Sequence, residues 1–505
     1  MTSDRLNVLF ITADQWRGEC LGAVRHPVVN TPNLDRLARR GTLFRRHFAN
    51  CAPCGPSRAS LLTGTYLHRH RSCINGTPLD ARFTNIALEA RKLGYRPTVF
   101  GYTDTSVDPR TLPAGDPRLT TYEGFMAGFD IGLDMTEGYL PWLAWLQERG
   151  HSVPSEGIRI YMPDDYRPAY WKFGNPHALP PFSAEESETS FQTARTIDWL
   201  QAHGGEPWFL HLSYLRPHPP FVAPPPYHNM YNPDRVGAPL RRPARSDEGR
   251  LHPFLAWALE RAAWRAPDRA EDLLKFKAIY FALMTQFDDS LGRLLAWLEE
   301  HDQLPRTLIV FTSDHGEMMG DHWLMGKLGF FDQAFHIPLI VCDPRVGGGN
   351  IVDDFTESVD IMPTILDLLG ASVPLQVQGR SLRPFLFGGR PANWRTEAHW
   401  EFDFRDPESR AAEMALNLKQ DQCTMAVQRG TRFKYVQFAA LPPLLFDLEN
   451  DPGEFNDLAA SGQHASVALS CAQAMLRWRM LHEERQLTGY KLTAPVPVDV
   501  REEPY

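Results

Sequence analysis

The sequence predicts an α/β protein, with a central, mostly parallel sheet covered by helices on both faces and a small α+β subdomain at the C-terminus. Two observations carry this. Through residues 1–390, short continuous apolar runs alternate with stretches of helical spacing, the pattern of strands buried on both faces. After residue 390 the strand-like runs follow one another directly and end in one amphipathic segment. The expected division is a large domain over residues 1–390 and a subdomain with a tail over 391–505. Cores tend to split beyond about 250–300 residues, and a chain of 505 is long enough for both parts.

The elements follow in order. Residues 6–13 form an apolar strand that ends at Asp14. Residues 31–41 read as a helix: Thr31 is placed to cap it, Pro32 suits its first turn, Leu34, Leu37 and Ala38 share a face, and Gly41 ends it. A second helix is expected just after Cys54, with Pro56 in its first turn and Leu61 and Leu62 turned inward. Further strands are expected at Thr98–Tyr102, Trp208–Tyr214, Thr307–Thr312 and Ile337–Cys342, with the clearest helix at about 270–300. The prolines of 215–245 forbid helix and central strand, so that stretch reads as a long ordered loop. In the C-terminal part, Glu397–Phe404, Cys423–Arg429 and Arg432–Phe438 read as antiparallel strands and Ala465–His482 as a helix. Leu492–Tyr505 reads as a tail or as an arm reaching a neighbouring subunit, and a homo-oligomer, dimer or tetramer, is expected.

Composition narrows the function. A net charge of −9 with no basic stripe argues against nucleic acid as a partner. It does not exclude a small anion, which needs only a locally positive pocket. No apolar run approaches the roughly 18 residues of a membrane span. The first residues lack the long apolar stretch and cleavage site of a secretory signal, so the expected location is cytoplasmic. Seven scattered cysteines make a poor disulfide framework. Cys51 and Cys54 form a C-x-x-C pair, but a redox reading needs a thioredoxin-like context and a zinc reading a second pair; the sequence offers neither.

Two strands end in polar clusters, Asp14-Gln15 and Asp314-His315. In an open parallel sheet ligands sit outside the carboxyl ends of strands, so neighbouring strands would bring these side chains together as a divalent metal site. Taken alone, each acid could equally cap the turn after its strand. The run Cys54-Gly55-Pro56-Ser57-Arg58-Ala59-Ser60-Leu61-Leu62-Thr63-Gly64 decides between these readings. It resembles the sulfatase signature C-x-P-S-R-x-x-x-x-T-G. Further segments resemble the same family: Thr31-Pro32-Asn33-Leu34-Asp35, Pro217-His218-Pro219-Pro220, Asp314-His315-Gly316-Glu317, Gly326-Lys327 and Phe446-Asp447-Leu448-Glu449-Asn450-Asp451-Pro452.

The resemblance implies the alkaline phosphatase superfamily fold, and it implies that a formylglycine-generating enzyme oxidises Cys54 to formylglycine. The hydrated aldehyde is a geminal diol. One hydroxyl attacks sulfur or phosphorus, and the other later expels the product. Asp14, Gln15, Asp314 and His315, with residue 54, are the implied ligands of one divalent metal. The imidazole favours Mn²⁺, with Zn²⁺, Fe²⁺ and Ca²⁺ as alternatives. Arg58, Lys327, Tyr102 and Asn75 are expected around the substrate oxygens, and His218 at the leaving group. His322 and His336 are read as structural.

Departures from the common pattern refine this. Gln15 replaces a second aspartate, His315 an asparagine, and Gly101-Tyr102-Thr103-Asp104 stands where many sulfatases have G-K-x-H. Asp-Gln, Asp-His and a tyrosine at these positions look closer to the phosphonate monoester hydrolase branch. Asp104 departs from the threonine of that branch; either it or a group the sequence does not identify removes the proton in the second step. The expected substrates are monoanionic: aryl sulfates, phosphonate monoesters and phosphodiesters. The alternatives are a metal phosphodiesterase with unmodified Cys54 and a water nucleophile, and an inactive anion-binding homologue.

Overall fold

The computed structural model describes residues 5–136, 138–161, 173–488, 490–492 and the backbone of Val498–Asp499. Its strands, in chain order, are β1 Asn7–Ala13, β2 Thr42–Phe48, β3 Cys51–Ala52, β4 Pro97–Gly101, β5 Asp130–Asp134, β6 Phe209–Tyr214, β7 Thr307–Ser313, β8 His336–Cys342, β9 Asn350–Val352, β10 Thr356–Glu357, β11 Ala398–Asp403, β12 Thr424–Arg429, β13 Phe433–Phe438 and β14 Leu444–Asp447. The large sheet has the order β10-β2-β8-β7-β1-β6-β4-β5, with β9 also on β2. All its pairings are parallel except those of β8, which runs against both neighbours.

The apolar run of β1 explains why it is central. Val8 and Phe10 face one layer, with Ala59, Leu61 and Leu62 of the Cys54–Thr63 helix and Ile365 behind them. Leu9, Ile11 and Ala13 face the other, against Ile279, Leu283 and Phe287 of the helix Ala270–Glu300. A strand with period-2 alternation and no polar face must be covered on both sides. The expected strands of this sheet are present within a residue or two. β2 and β5 were not foreseen, because Arg45 and Arg46 interrupt the apolar run of β2 and the edge strand β5 carries two aspartates and a glycine.

The 31–41 helix forms at Pro32–Arg40, but Thr31 does not cap it. The Thr31 hydroxyl accepts from Gly22 N–H and donates to Asp35. The free N–H groups of Asn33 and Leu34 donate instead to the Asp288 carboxylate, 2.9 and 2.7 Å away on the long helix. A side chain distant in sequence has taken over the cap, which local sequence cannot reveal.

The second sheet runs β14-β13-β12-β11-β3, antiparallel except for β3 on β11. Its first strand is thus Cys51–Ala52, immediately before the Cys54 helix. Phe48 and Phe335 of the large domain stack on Trp400 of β11, with centroids 5.6 and 5.0 Å apart, so the two sheets share one apolar layer. The helix Ala465–Leu481 closes this sheet with Met475 and Trp478. Most of Leu492–Tyr505 lies outside the described residues. Among the described residues no helix is long and apolar enough to cross a membrane.

Candidate active site

Because β4, β6, β1 and β7 run parallel side by side, their carboxyl ends open on the same edge. That edge carries Tyr102 and Asp104 after β4, His218 after β6, Asp14 and Gln15 after β1, and Asp314 and His315 after β7. Cys54 is brought there by β3 and is the first residue of its helix, with Pro53 before it. Ser57 of the same helix donates to the backbone oxygen of Asp314, tying the helix start to β7.

Residue 54 is where these groups meet. Cys54 Sγ lies 2.8 Å from Lys327 Nζ, 3.4 Å from His315 Nε2 and 4.0 Å from Asp14 Oδ1. His315 Nε2 is 3.7 Å from Asp14 and 3.6 Å from Asp314. One ligand atom each from Asp14, Cys54, Asp314 and His315 falls within 4.8 Å of all the others. Donors at about 2.0–2.3 Å around a single ion would be spaced in this way, so the residues fit a divalent cation. Gln15 Oε1 accepts from Lys327 at 2.9 Å and retains a second lone pair. Its amide nitrogen donates to Glu317, a buried carboxylate that also accepts from the N–H groups of Met319 and Gly326. Glu317 therefore fixes which way Gln15 points.

Cys54 itself is only 6% exposed. The helix that starts at Cys54 is buried along its whole length, between the large sheet and the segment Ser358–Leu368. Arg58 is buried as well. Its guanidinium lies beneath the cluster, 0% exposed: Nη2 is 3.0 Å from Asp14, Nε 3.0 Å from Asp314 and 3.4 Å from Asp104, and Nη1 2.6 Å from Ser213 Oγ. Tyr102 is similarly engaged. Its hydroxyl donates to Asp14 at 2.9 Å, and its ring lies 4.5 Å from the Arg58 guanidinium carbon. Both residues hold the carboxylates. Asn75 accepts from Gly55 N–H at 2.9 Å, which orients the first turn of the helix.

The electrostatics follow from burial and crowding. Burial opposes the charge on Asp14, but Lys327, His218 and Arg58 outweigh it and hold this carboxyl below the usual range. Burial and the nearby Asp14 push Asp314 up to about 6. Burial raises Asp104 well above the carboxylate range despite Arg58. The Cys54 thiol is pushed up by burial and by Asp14, so an unmodified side chain here is a thiol rather than a thiolate. Burial and Lys327 bring His218 down to about 3. His218 Nδ1 lies 2.6 Å from Pro219 O, a pure acceptor, so the ring proton sits on Nδ1 and Nε2 carries the lone pair. His322 and His336 are structural: His322 pairs with Glu248 at 2.7 Å and stacks on Phe331, and His336 Nε2 donates to the Arg45 carbonyl. Cys51 contacts Ser60 Oγ at 3.3 Å and is not bonded to Cys54.

A cavity of about 430 Å³ opens over Gln15, His218 and Lys327, walled by Phe173, Trp257 and Phe402. Ser213, Glu317 and the walls were not foreseen. Glu317 stood in the quoted Asp314-His315-Gly316-Glu317 run, where its spacing was the available signal. The others carry no local pattern.

Arg58 gives a testable consequence. Arg58→Ala strands buried carboxylates without their cation and is expected to cost about 3–5 kcal/mol of stability. Chemical denaturation measures this, and a variant as stable as the native protein would show that the guanidinium does not hold the cluster.

A family model described as Sulfatase matches residues 6–371, and one described as N-sulphoglucosamine sulphohydrolase, C-terminal, matches residues 320–481. A protein of Trinickia caryophylli, Multifunctional alkaline phosphatase superfamily protein PehA, is 42% identical over 508 residues, covering 96% of this chain and 98% of its own length. An arylsulfatase of Clostridium perfringens is 28% identical over 512 residues, covering 97% and 98%. The crystal structure of phosphonate monoester hydrolase of Agrobacterium radiobacter matches with a TM-score of 0.93 at 45% identity, over 99% of this chain and 100% of that one.

Proposed function

The chain belongs to the sulfatase family, in the alkaline phosphatase superfamily, and from that premise we propose that it hydrolyses sulfate monoesters and phosphonate monoesters or phosphodiesters in one site. In this reading Cys54 is matured to formylglycine by a formylglycine-generating enzyme. One divalent metal is held by Asp14, Gln15, Asp314, His315 and residue 54. When present, the formylglycine diol supplies the nucleophile and the metal supplies Lewis acidity. The reading rests on one observation, the convergence on residue 54 of Lys327, His315 and Asp14 at a helix start.

The chain's own residues supply the rest. Lys327 places a fixed positive charge beside residue 54, where an oxygen of a monoanionic ester gains most from it. Arg58 and Tyr102 keep Asp14 in place, and Glu317 keeps Gln15 in place. His218 is neutral before substrate arrives. A bound anion favours protonation at Nε2, from which the leaving oxygen can take the proton. Asp104, 3.4 Å from Arg58, can take the proton lost in the second step only as the carboxylate, the form that the guanidinium favours and burial opposes. A sulfate monoester, a phosphonate monoester and a phosphodiester each carry one negative charge near neutral pH, so one arrangement serves all three.

Two measurements test this. The peptide containing residue 54 is expected about 18 Da lighter than its cysteine form, whereas the competing thiol oxidations add mass. An aryl sulfate and an aryl phosphonate monoester are expected to inhibit each other's hydrolysis competitively. Each inhibition constant should equal that substrate's own KM wherever KM reports binding. Non-competitive inhibition would require two sites.

A further inference from the structure

Resting on the ester-hydrolase reading, we propose that the cavity over His218 and Lys327 is the subsite for the alcohol half of the ester, built for an aromatic alcohol that carries an anionic substituent. The reacting group must lie at residue 54, which is almost fully buried, so the remainder of the substrate has to project into this cavity. Its walls form an aromatic corner. Trp257 and Trp264 meet edge to face, with centroids 5.1 Å apart and planes at 81°, and Phe404 lies 6.0 Å from Trp257. Such a corner offers a flat ring one face and one edge at the preferred aromatic spacing.

A cation stands beside both rings. The Arg261 guanidinium carbon is 5.4 Å from the Trp257 ring and 5.3 Å from the Trp264 ring. Its ion pair with Asp406 is long, at 3.3 Å, and both side chains are partly exposed. Arg405 lines the same cavity, with its Nε held by Asp403 at 2.8 Å. Among the described residues Arg261 Nε and Arg405 Nη2 have no hydrogen-bond partner, and Arg405 Nη1 lies 3.3 Å from Asp421. An aromatic corner without an internal cation would suit a quaternary ammonium alcohol. Here the protein's own guanidinium fills that role; Asp406 and Asp403 on the same wall pair with Arg261 and Arg405, and Lys327 is the lining cation paired with neither, so a cationic alcohol is repelled and an anionic one attracted. The walls come from distant parts of the chain. Trp257 lies on the helix Pro253–Glu260, Trp264 just after it, and Phe404 and Arg405 follow β11 of the second sheet. The C-terminal subdomain therefore shapes substrate choice.

The test uses the full chain and two readouts. In the first, kcat/KM is measured for 4-carboxyphenyl and 4-(trimethylammonio)phenyl sulfates, and the anionic-to-cationic ratio is compared between variants, which cancels leaving-group reactivity. The ratio is expected to fall about tenfold in Arg261→Met and largely to return in Arg261→Lys. In the second, binding of 4-hydroxybenzoate, followed by tryptophan fluorescence, should weaken about tenfold in Arg261→Met. An unchanged ratio and an unchanged affinity in that variant overturn the inference. A native protein that binds 4-hydroxybenzoate through Arg261 yet hydrolyses none of the esters leaves the subsite standing and overturns the hydrolase reading instead.

Discussion

Cys54→Ala is expected to lower kcat/KM for every sulfate and phosphonate ester by at least about 10⁴-fold, because the loss of a covalent nucleophile removes the whole two-step route. Residue 54 is buried in the cluster, so the variant's fold has to be checked beside its activity. Trimming one small side chain from a packed helix start should cost about 1 kcal/mol, which leaves the protein folded. Circular dichroism and a denaturation midpoint verify that. Survival of one ester activity in this variant, with loss of the other, would separate the two reactions and end the single-site reading.

Stripping the divalent metal, or replacing Asp14 by Ala, is expected to lower turnover of both ester classes by at least about 10³-fold, since several kcal/mol of charge stabilisation is lost. Asp14 also pairs with Arg58 and accepts from Tyr102, so Asp14→Ala should loosen the cluster as well as weaken metal affinity. Elemental analysis of protein purified without added metal identifies the ion. The His315 imidazole favours Mn²⁺, Zn²⁺ or Fe²⁺ over Ca²⁺, and His315→Asn should move the preference toward Ca²⁺. Stoichiometric Ca²⁺ with full activity and no transition metal would refute the imidazole argument. Restoring the ion to stripped protein should restore activity, which distinguishes metal loss from unfolding.

By itself the sequence determined the α/β class and marked out the candidate positions of the site. β1 and β7 are legible because strands buried on both faces leave an unbroken apolar run, and a polar group directly after such a run must stand at the sheet's edge. The Cys54 run is legible because a nucleophile at a helix start needs a fixed local spacing. These are constraints between residues close together in the chain. Tertiary structure decided what depends on contact between distant residues. It turned Arg58 and Tyr102 onto the metal carboxylates, because three buried acids need a cation and donors within reach. It replaced Thr31 by Asp288 as the helix cap, buried Cys54 among Asp14, His315 and Lys327, and set Glu317 behind Gln15. It also assembled Trp257, Arg261 and Phe404 into one cavity from segments more than a hundred residues apart. No periodicity or spacing encodes such a wall, because its members are related only through the packing of the two sheets.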